Sequence, residues 1–498
     1  MNVTIQINGN ATTLPLAQLA TMLVSYPCET GYCTTDVASS RALDTFYLLV
    51  GAFLVFFMQV GFCFLEVGCV HTKNTKNILI KNILDPCIAA LCFYLIGYAF
   101  GLLGGDGFIG NSGFVFRDDS FKASDNGRLY NGKAYASWLF QWAFAAAAST
   151  IVTGAVAERI AFIAYVSYAV AITAFIYPVV VHWLWSSTGF ASPTNATKLL
   201  FDVGAIDFAG SGVVHMTGGM AALVGCCILG PRVGRFQNGE ANNMPKQSVF
   251  LQTIGTLLLW FGWYGFNCMS TGGLLGNAAD VTAKVAVNLT LTAATAGIGC
   301  VFLGSFIGDR IVDPTLANNG VLAGAVSITA GCSVVEPSGA VAIGFIAAIL
   351  YTFSSKLLVK LKIDDVVDAV PVHLVCGAWG VIAIGFFASN DGMQAAYSHD
   401  SCGVFYGCSN GGKQLGAQVV VVLAIAAWVG VTATILFGIL HYFKMLRVSP
   451  ETELAGLDIS LHGGYAYYFS DLVKTDGTNG DFQNTTTPVA NSGSAGEV

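Results

Sequence analysis

Long apolar runs alternate with short polar segments along most of the chain. Each run is about twenty residues long, which is the length that an α-helix needs to cross the hydrocarbon core of a membrane. This pattern predicts an all-α polytopic membrane protein with eleven transmembrane helices. The predicted spans are residues 45–69, 78–103, 135–156, 160–184, 207–229, 249–270, 282–307, 318–335, 338–359, 366–388 and 415–443.

The composition agrees with this class. Of the 498 residues, 54% are hydrophobic and 10% are charged, and the mean hydropathy is +0.65. A soluble domain carries about 25% charged residues. The lysines and arginines are scattered among the predicted loops, so the chain lacks the basic patch of a nucleic-acid-binding protein.

The polar and apolar segments predict three regions. Residues 1–43 form an N-terminal segment, residues 44–445 form the membrane domain, and residues 446–498 form a tail that becomes disordered after about residue 475. Spans one to five and six to ten make two groups. Because five is odd, the second group is inverted, as in transporters built from two inverted repeats, and the eleventh span has no counterpart.

The loop charges predict the orientation. With the N-terminus outside, more of the 22 lysines and arginines fall in inner than in outer segments, as the positive-inside rule requires. The tail is then cytosolic. The sequons at Asn2, Asn10 and Asn195 lie outside and are available for glycosylation. Disulfides can form among four cysteines outside the spans, but the sequence does not assign their partners. They are Cys28, Cys33, Cys402 and Cys408.

Two predicted spans contain an aspartate followed by a histidine. Asp207 opens the fifth span and His215 lies within it, about 12 Å further along the helix axis. Asp368 precedes His373 in the tenth span. Ionisable residues at membrane depth mark pathways for polar substrates. The two histidines are therefore interpreted as pore residues that meet near the membrane midplane.

Five motifs follow one another along the chain. They are FQWAFAAAASTIVTGAVAERIAF (140–162), DFAGSGVVH (207–215), GWYGFNCMS (262–270), DAVPVHLVCGAWG (368–380) and AGLDISLHGGYAY (455–467). Together they resemble the ammonium transporter (Amt/Mep/Rhesus) family over roughly residues 44–469. The first and last motifs look most like its eukaryotic, plant-type ammonium transporters.

The resemblance implies a recruitment site for ammonium, a gate of two stacked phenylalanines and a pore with two histidines. The recruitment residues are Trp185, Ser270, Phe144 and Asp207, the gate residues are Phe144 and Phe266, and the pore residues are His215, His373 and Trp263. Asp207 could bind the cation directly, or it could cap its helix and orient backbone groups. We favour the second role.

Other polar groups near the span ends are not assigned to the site. Glu66, Asp85 and Asp309 are interpreted as solvated or structural. His182 is interpreted as a neighbour of the recruitment site, and Asp368 as a cap of its own helix.

The residue types suit ammonium. A tryptophan face attracts a small cation, and a serine oxygen supplies an acceptor. Moving a bare cation through an apolar pore costs of order 20 kcal/mol in the idealised limit. Ammonium, unlike K⁺, can release a proton and continue as neutral ammonia, and neutral imidazoles suit a proton relay. The resemblance thus implies transport of ammonium and methylammonium, with net charge transfer.

The resemblance also implies a homotrimer in the lipid of the plasma membrane and a regulatory tail. Ser460 stands where plant-type relatives carry a phosphorylatable threonine, which implies a kinase as a partner. Leu461 replaces the basic residue usual in those relatives, which puts recognition by the same kinases in doubt. No cofactor, metal or enzymatic activity is expected.

Three alternatives are open. A Rhesus-type channel would pass neutral ammonia, but Trp185 with Ser270 favours recruitment of the cation. A metal transporter or metalloenzyme would use the histidines as ligands, yet no Cys, Asp or Glu cluster accompanies them. An ammonium sensor would signal through its tail, which contains no recognisable signalling domain.

Overall fold

The computed structural model describes residues 2–7, 10–15, 34–117, 121–122, 130–307 and 311–467. The predicted disorder after residue 475, Cys28, Cys33 and Asp309 lie outside these residues. The α-helices are α1 (Thr34–Cys69), α2 (Thr75–Cys92), α3 (Tyr98–Leu102), α4 (Gly132–Ala155), α5 (Phe162–Ala171), α6 (Tyr177–Trp185), α7 (Thr217–Leu229), α8 (Val249–Cys268), α9 (Ala278–Ile307), α10 (Pro314–Thr329), α11 (Pro337–Lys360), α12 (Cys376–Phe387), α13 (Asn390–Tyr397), α14 (Gly411–Tyr442), α15 (Pro450–Ala455) and α16 (Leu457–His462).

Shorter elements complete the described secondary structure. Two antiparallel hairpins pair β1 (Asn2–Ile7) with β2 (Asn10–Pro15), and β3 (Phe236–Gln237) with β4 (Glu240–Ala241). The π-helical turns are Phe93–Gly97, Ile172–Ile176, Ser211–Met216 and Val370–Val375, and the 3₁₀ turns are Thr72–Asn74, Phe114–Phe116, Leu200–Asp202, Met269–Thr271 and Val404–Tyr406. The architecture is therefore helical, as predicted.

Nine helical segments in the described part of the chain are long and apolar enough to cross a membrane. They match nine of the eleven predicted spans. The other two are α4, which is rich in alanine, and α10, which has 16 residues. Both helices are largely buried among their neighbours, so their surfaces do not need lipid-facing apolar residues. The number of eleven spans stays a prediction.

Glycines allow pairs of helices to pack backbone to backbone. A Cβ atom at Gly68 of α1 would lie 2.5 Å from the backbone nitrogen of Gln252 in α8, and one at Gly324 of α10 would lie 2.5 Å from the carbonyl oxygen of Thr292 in α9. No larger residue fits there without moving a helix. Small residues at such crossings are typical of membrane helix bundles.

The last long helix, α14, packs along the outside of the bundle. Residues on one of its faces are buried, including Val421, Ile425 and Val429, whereas Leu423 and Ile435 on the other are exposed. A spacing of about four residues between buried positions places them on one helical stripe. The exposed stripe is apolar and suits contact with lipid.

Glu66 and Asp85 lie inside the bundle. Glu66 in α1 is 2% exposed and Asp85 in α2 is 0% exposed, so the solvated interpretation is wrong for both. Buried charges are expensive unless they are paired or hydrogen-bonded, and these two carboxylates belong to a polar cluster between α1, α2, α4 and α5.

A buried ion cluster joins loops at the end of the bundle that carries the tail. The Arg232 guanidinium donates to both oxygens of Asp364, at 2.8 and 2.9 Å, and to Glu158 at 2.7 Å. Burial alone would raise the pKa of Asp364, but the hydrogen bonds and positive charge of Arg232 outweigh it and lower the pKa to about 2. The loops are therefore held by charge pairing. Near the opposite end, Cys402 and Cys408 form a disulfide.

Candidate functional site

A vestibule of about 620 Å³ opens between α4, α6 and the turn after α8. It brings together four of the predicted residues, which are separated by up to 126 positions in the chain. They are Phe144, Trp185, Asp207 and Ser270. The residues expected to form a recruitment site therefore line one space.

Trp185 stands at the wall of the vestibule in a fixed orientation. Its indole Nε1 donates a 2.7 Å hydrogen bond to the carbonyl oxygen of Asp207, and its ring meets the Phe144 ring edge to face at 5.8 Å. Gly210 has φ +108°, and a Cβ there would lie 3.2 Å from the indole. Glycine is thus required both by the backbone conformation and by the approach of the ring.

Ser270 supplies a polar oxygen to the lining of the vestibule. Its hydroxyl donates to the carbonyl oxygen of Phe266 at 2.7 Å. The hydroxyl proton is therefore directed into the protein, and the lone pairs of the oxygen are available to a donor in the vestibule.

Phe144 and Phe266 close the floor of the vestibule. Their rings are stacked with centroids 3.9 Å apart and planes inclined by 22°, and both side chains are buried. The Phe266 ring in turn lies 5.6 Å from the His215 ring on the far side. The stacked rings separate the vestibule from the histidines.

His215 and His373 form a direct pair. Their Nδ1 atoms are 3.1 Å apart, and their rings lie nearly parallel at 5.1 Å. One Nδ1 must donate and the other accept, so a single proton lies between them. His215 Nε2 is buried and has no hydrogen-bond partner among the described residues. Trp263 covers His215 at 5.3 Å and donates its own N–H to the Thr329 hydroxyl.

Asp207 caps the π-helical turn that carries His215. Its carboxylate accepts the backbone N–H groups of Gly210, Gly212 and Val213 at 3.1, 2.9 and 2.8 Å. Three N–H donors compensate for the burial of the carboxylate. The same residue lines the vestibule, so this cap connects the vestibule wall to the pore helix.

Asp365, and not Asp368, is the corresponding cap for His373. Asp365 accepts the N–H groups of Val367 and Val370 at 3.3 and 2.7 Å. Asp368 instead accepts from the hydroxyl of Tyr351 at 2.9 Å, so its interpretation as a helix cap is wrong. Asp207 and Asp365 each precede their histidine by eight residues, a spacing that could have identified the pair.

His182 does not line the vestibule. Its ring nitrogens lie 3.2 and 2.6 Å from the carbonyl oxygens of Gly101 and Asp106, so it holds a loop in place. Phe140, Gln141 and Tyr397 do line the vestibule and were missed. Phe140 lies one helical turn before Phe144 on the same face of α4, and this spacing could have identified it.

The tail packs against the start of α2 in the same chain. Asp458 accepts the N–H of Asn77 at 3.0 Å, and Leu457 donates its N–H to the Asn74 side chain at 2.9 Å. The Lys73 ammonium donates to the Leu454 carbonyl oxygen at 2.8 Å. Ser460 is exposed on α16 and donates to the Gly456 carbonyl oxygen.

Comparisons with known proteins show the family of the chain. The model of the Ammonium Transporter Family matches residues 46–467. The chain is 43% identical to ammonium transporter 1 member 3 of Solanum lycopersicum, over 87% of this chain and 94% of that protein. It is 45% identical to ammonium transporter 1 member 1 of Arabidopsis thaliana, over 81% of each.

Solved structures show the same fold. A protein described as a sensor Amt protein superimposes with a TM-score of 0.75 and 33% identity, over 85% of this chain and 99% of that chain. Candida albicans Mep2 gives a TM-score of 0.72 and 27% identity, over 82% and 87%. The chain belongs to the ammonium transporter family.

Proposed function

We propose that this protein recruits ammonium in the vestibule, removes one proton and passes neutral ammonia along the histidine pair, with net transfer of the charge. The observation that carries this proposal is the direct Nδ1 to Nδ1 contact of His215 and His373 at 3.1 Å behind the closed phenylalanine gate. Ammonium transport in general follows from the family.

The vestibule suits a small cation. The Trp185 indole and the Phe144 ring offer aromatic faces, and the Ser270 oxygen offers lone pairs. A cation over an aromatic ring gains about 0.5–2 kcal/mol, depending on how far it is desolvated. Asp207 contributes as the cap that fixes this wall, because its carboxylate is occupied by three backbone N–H groups.

The gate and the pore suit a neutral molecule. Phe144, Phe266 and Trp263 are buried and apolar apart from the indole N–H, which Thr329 occupies. An ion loses its hydration there without replacement, whereas ammonia loses much less. K⁺ cannot become neutral, so the proposed pore discriminates by proton chemistry rather than by size.

The histidine pair suits proton transfer. The proton between the two Nδ1 atoms can move from one ring to the other over 3.1 Å, provided that the Nε2 positions exchange protons with the passing molecules. Trp263 and Phe266 stack near His215 and hold its ring plane. A relay of this kind would carry the proton separately from ammonia, which accounts for net charge transfer.

The test is uptake and electrophysiology in cells that lack their own ammonium transport. Wild-type protein should support methylammonium uptake and ammonium-evoked currents. His215→Asp and His373→Asp should each reduce transport or its selectivity, because a fixed charge replaces a neutral relay. If either variant reaches the membrane and keeps the wild-type rate and selectivity, the relay is wrong.

A sensing function is the second candidate, favoured by the structural similarity to the sensor Amt protein. The tail would then have to report on the pore. Its contacts with Lys73 and Asn74 place it on the bundle itself. Transport without any effect of tail truncation on cell signalling would exclude sensing.

We further propose that the protein is a glycosylated homotrimer in the lipid of the plasma membrane, with the N-terminus outside and the tail cytosolic. The exposed apolar residues of α1 and α8, including Phe53 and Phe261, support burial in lipid or against another subunit. Native mass spectrometry in mild detergent tests the assembly, and only monomers would contradict it. Glycosidase treatment tests the sequons.

A further inference from the structure

A small cavity lies beside His373, apart from the vestibule. It is lined by His373, by Glu66 and by apolar side chains of α1, α4 and α10. Glu66 is the acidic residue of this lining. Glu66 has no role in the proposed relay, although it is 2% exposed and shares the cavity with His373.

The course of α1 places Glu66 on the far side of the pore from the vestibule. Gly51 of α1 packs against Phe140, which lines the vestibule. Glu66 follows it by fifteen residues in the same helix, which is about 22 Å along the axis. In the proposed pathway, ammonia that has passed the histidines therefore reaches the cavity with Glu66.

The Glu66 carboxylate is held in a defined position. Asn82 donates its Nδ2 hydrogen to Glu66 Oε2 at 2.7 Å. The other oxygen fills space left by Gly154, where a Cβ would lie 2.9 Å from Glu66 Oε1 and 2.8 Å from Val367. A side chain at residue 154 would therefore displace the carboxylate.

The charges around Glu66 favour one bound proton. The cluster holds two carboxylates, Glu66 and Asp85, and one ammonium, Lys81, all buried. The Lys81 Nζ has no hydrogen-bond partner within the described part of the chain. Two negative charges against one positive charge leave an uncompensated charge inside the bundle, which is costly. One proton on the cluster removes it.

Asp85 differs from Glu66 in its surroundings. Its two oxygens accept from Thr153 at 3.0 Å and from Ser149 at 3.4 Å, and it does not line the cavity. Asp85 is thus occupied by hydroxyl groups, whereas Glu66 faces the cavity. Within one cluster, Glu66 is the carboxyl group placed to exchange a proton with a passing molecule.

We propose that Glu66 is the group that returns a proton to ammonia as it leaves the pore. This inference rests on the proposed function. In the protonated state, the Glu66 O–H bond breaks and an N–H bond forms on ammonia, which gives ammonium and the Glu66 carboxylate. The carboxylate then accepts the proton that was removed from ammonium at the vestibule and relayed through His215 and His373.

The experiment compares Glu66→Gln, Glu66→Asp and Ser149→Ala with wild type. Glutamine keeps the size and can still accept from Asn82, but it cannot transfer a proton. Because a positioned acid contributes about 10²–10⁴-fold, the ammonium current of Glu66→Gln at equal surface abundance should fall at least about tenfold. Glu66→Asp keeps a carboxyl group and should recover part of the current. Ammonia-driven pH changes in proteoliposomes, which need no charge transfer, should be unchanged.

Ser149→Ala is the matched control, since it removes a hydrogen bond from the same cluster without changing the charge of the cluster or touching the cavity. Its current at equal surface abundance should stay near the wild-type value. Equal losses in Glu66→Gln and Ser149→Ala would mean that the cluster is only structural and would overturn the inference. So would an unchanged current in Glu66→Gln. If the wild-type protein gives no ammonium current, this result would instead contradict both the proposed function and this inference.

Discussion

Replacement of Trp185 tests the recruitment of the cation. Trp185→Leu removes both the aromatic face and the indole hydrogen bond to Asp207, whereas Trp185→Phe removes only the hydrogen bond. Loss of an attraction of about 0.5–2 kcal/mol between a cation and the ring corresponds to roughly 2–30-fold weaker binding. Because the indole is only partly buried, we expect the lower half of this range, with the KM for ammonium raised about 2–10-fold.

The assay is the concentration dependence of ammonium-evoked current at equal surface abundance. Trp185→Phe should give a smaller rise in KM than Trp185→Leu, because the phenyl ring still presents an aromatic face. Trp428→Leu is the control. Trp428 also donates its N–H to a carbonyl oxygen, that of Ile176, but it does not line the vestibule.

A KM that stays at the wild-type value in Trp185→Leu would refute the recruitment site. A KM raised equally in Trp428→Leu would show that loss of packing, rather than of a cation site, causes the effect.

Three further predictions concern the supports of the pore and the tail. Asp207→Asn should retain measurable transport, because an amide oxygen still accepts backbone N–H groups. Asp207→Ala leaves buried donors unpaired at about 1–3 kcal/mol each and should reduce the amount of folded protein in the membrane. Normal abundance without transport in Asp207→Asn would favour a direct ligand role for Asp207. The pKa of Asp364 is lowered to about 2, so the stability that its charge contributes is fully present above the ordinary pKa of about 4 and is lost as the pH falls towards about 2. Thermal unfolding of the purified protein should show this loss of stability at low pH. In Asp364→Asn, the unfolding temperature should depend less on pH over the same range. Ser460→Asp should lower transport at constant surface abundance, because a negative charge on α16 disturbs the docked tail, whereas Ser460→Ala should stay active. Full activity of Ser460→Asp would reject regulation by phosphorylation of Ser460.

The sequence identified functional candidates where a residue type is rare in its surroundings and has few structural reasons to be there. A histidine in an apolar run is costly, so His215 and His373 could be recognised as special. The residues of the vestibule and gate were found through their motifs, because a tryptophan or phenylalanine in an apolar helix is usually packing. The structure brings these residues into one row of neighbouring contacts.

Contacts between distant segments could not be predicted. Nothing in the sequence around Asp458 indicates that it accepts a hydrogen bond from Asn77, which lies 381 residues earlier. The sequence around Glu66, near the end of a span, does not show whether this side chain faces water or the bundle. The packing of α2 and α4 against α1 buries it. Asp365 was overlooked because Asp368 is closer to the histidine, although only Asp365 repeats the spacing of Asp207.

The proposed function requires that ammonium crosses the membrane as ammonia plus a separately relayed proton. The most direct measurement compares currents in the same voltage-clamped cells under equal concentrations of ammonium and K⁺, together with methylammonium uptake. We expect an inward current with ammonium, none above background with K⁺, and one charge for each substrate molecule taken up. A K⁺ current comparable to the ammonium current would contradict it, because a pore that passes K⁺ does not depend on deprotonation.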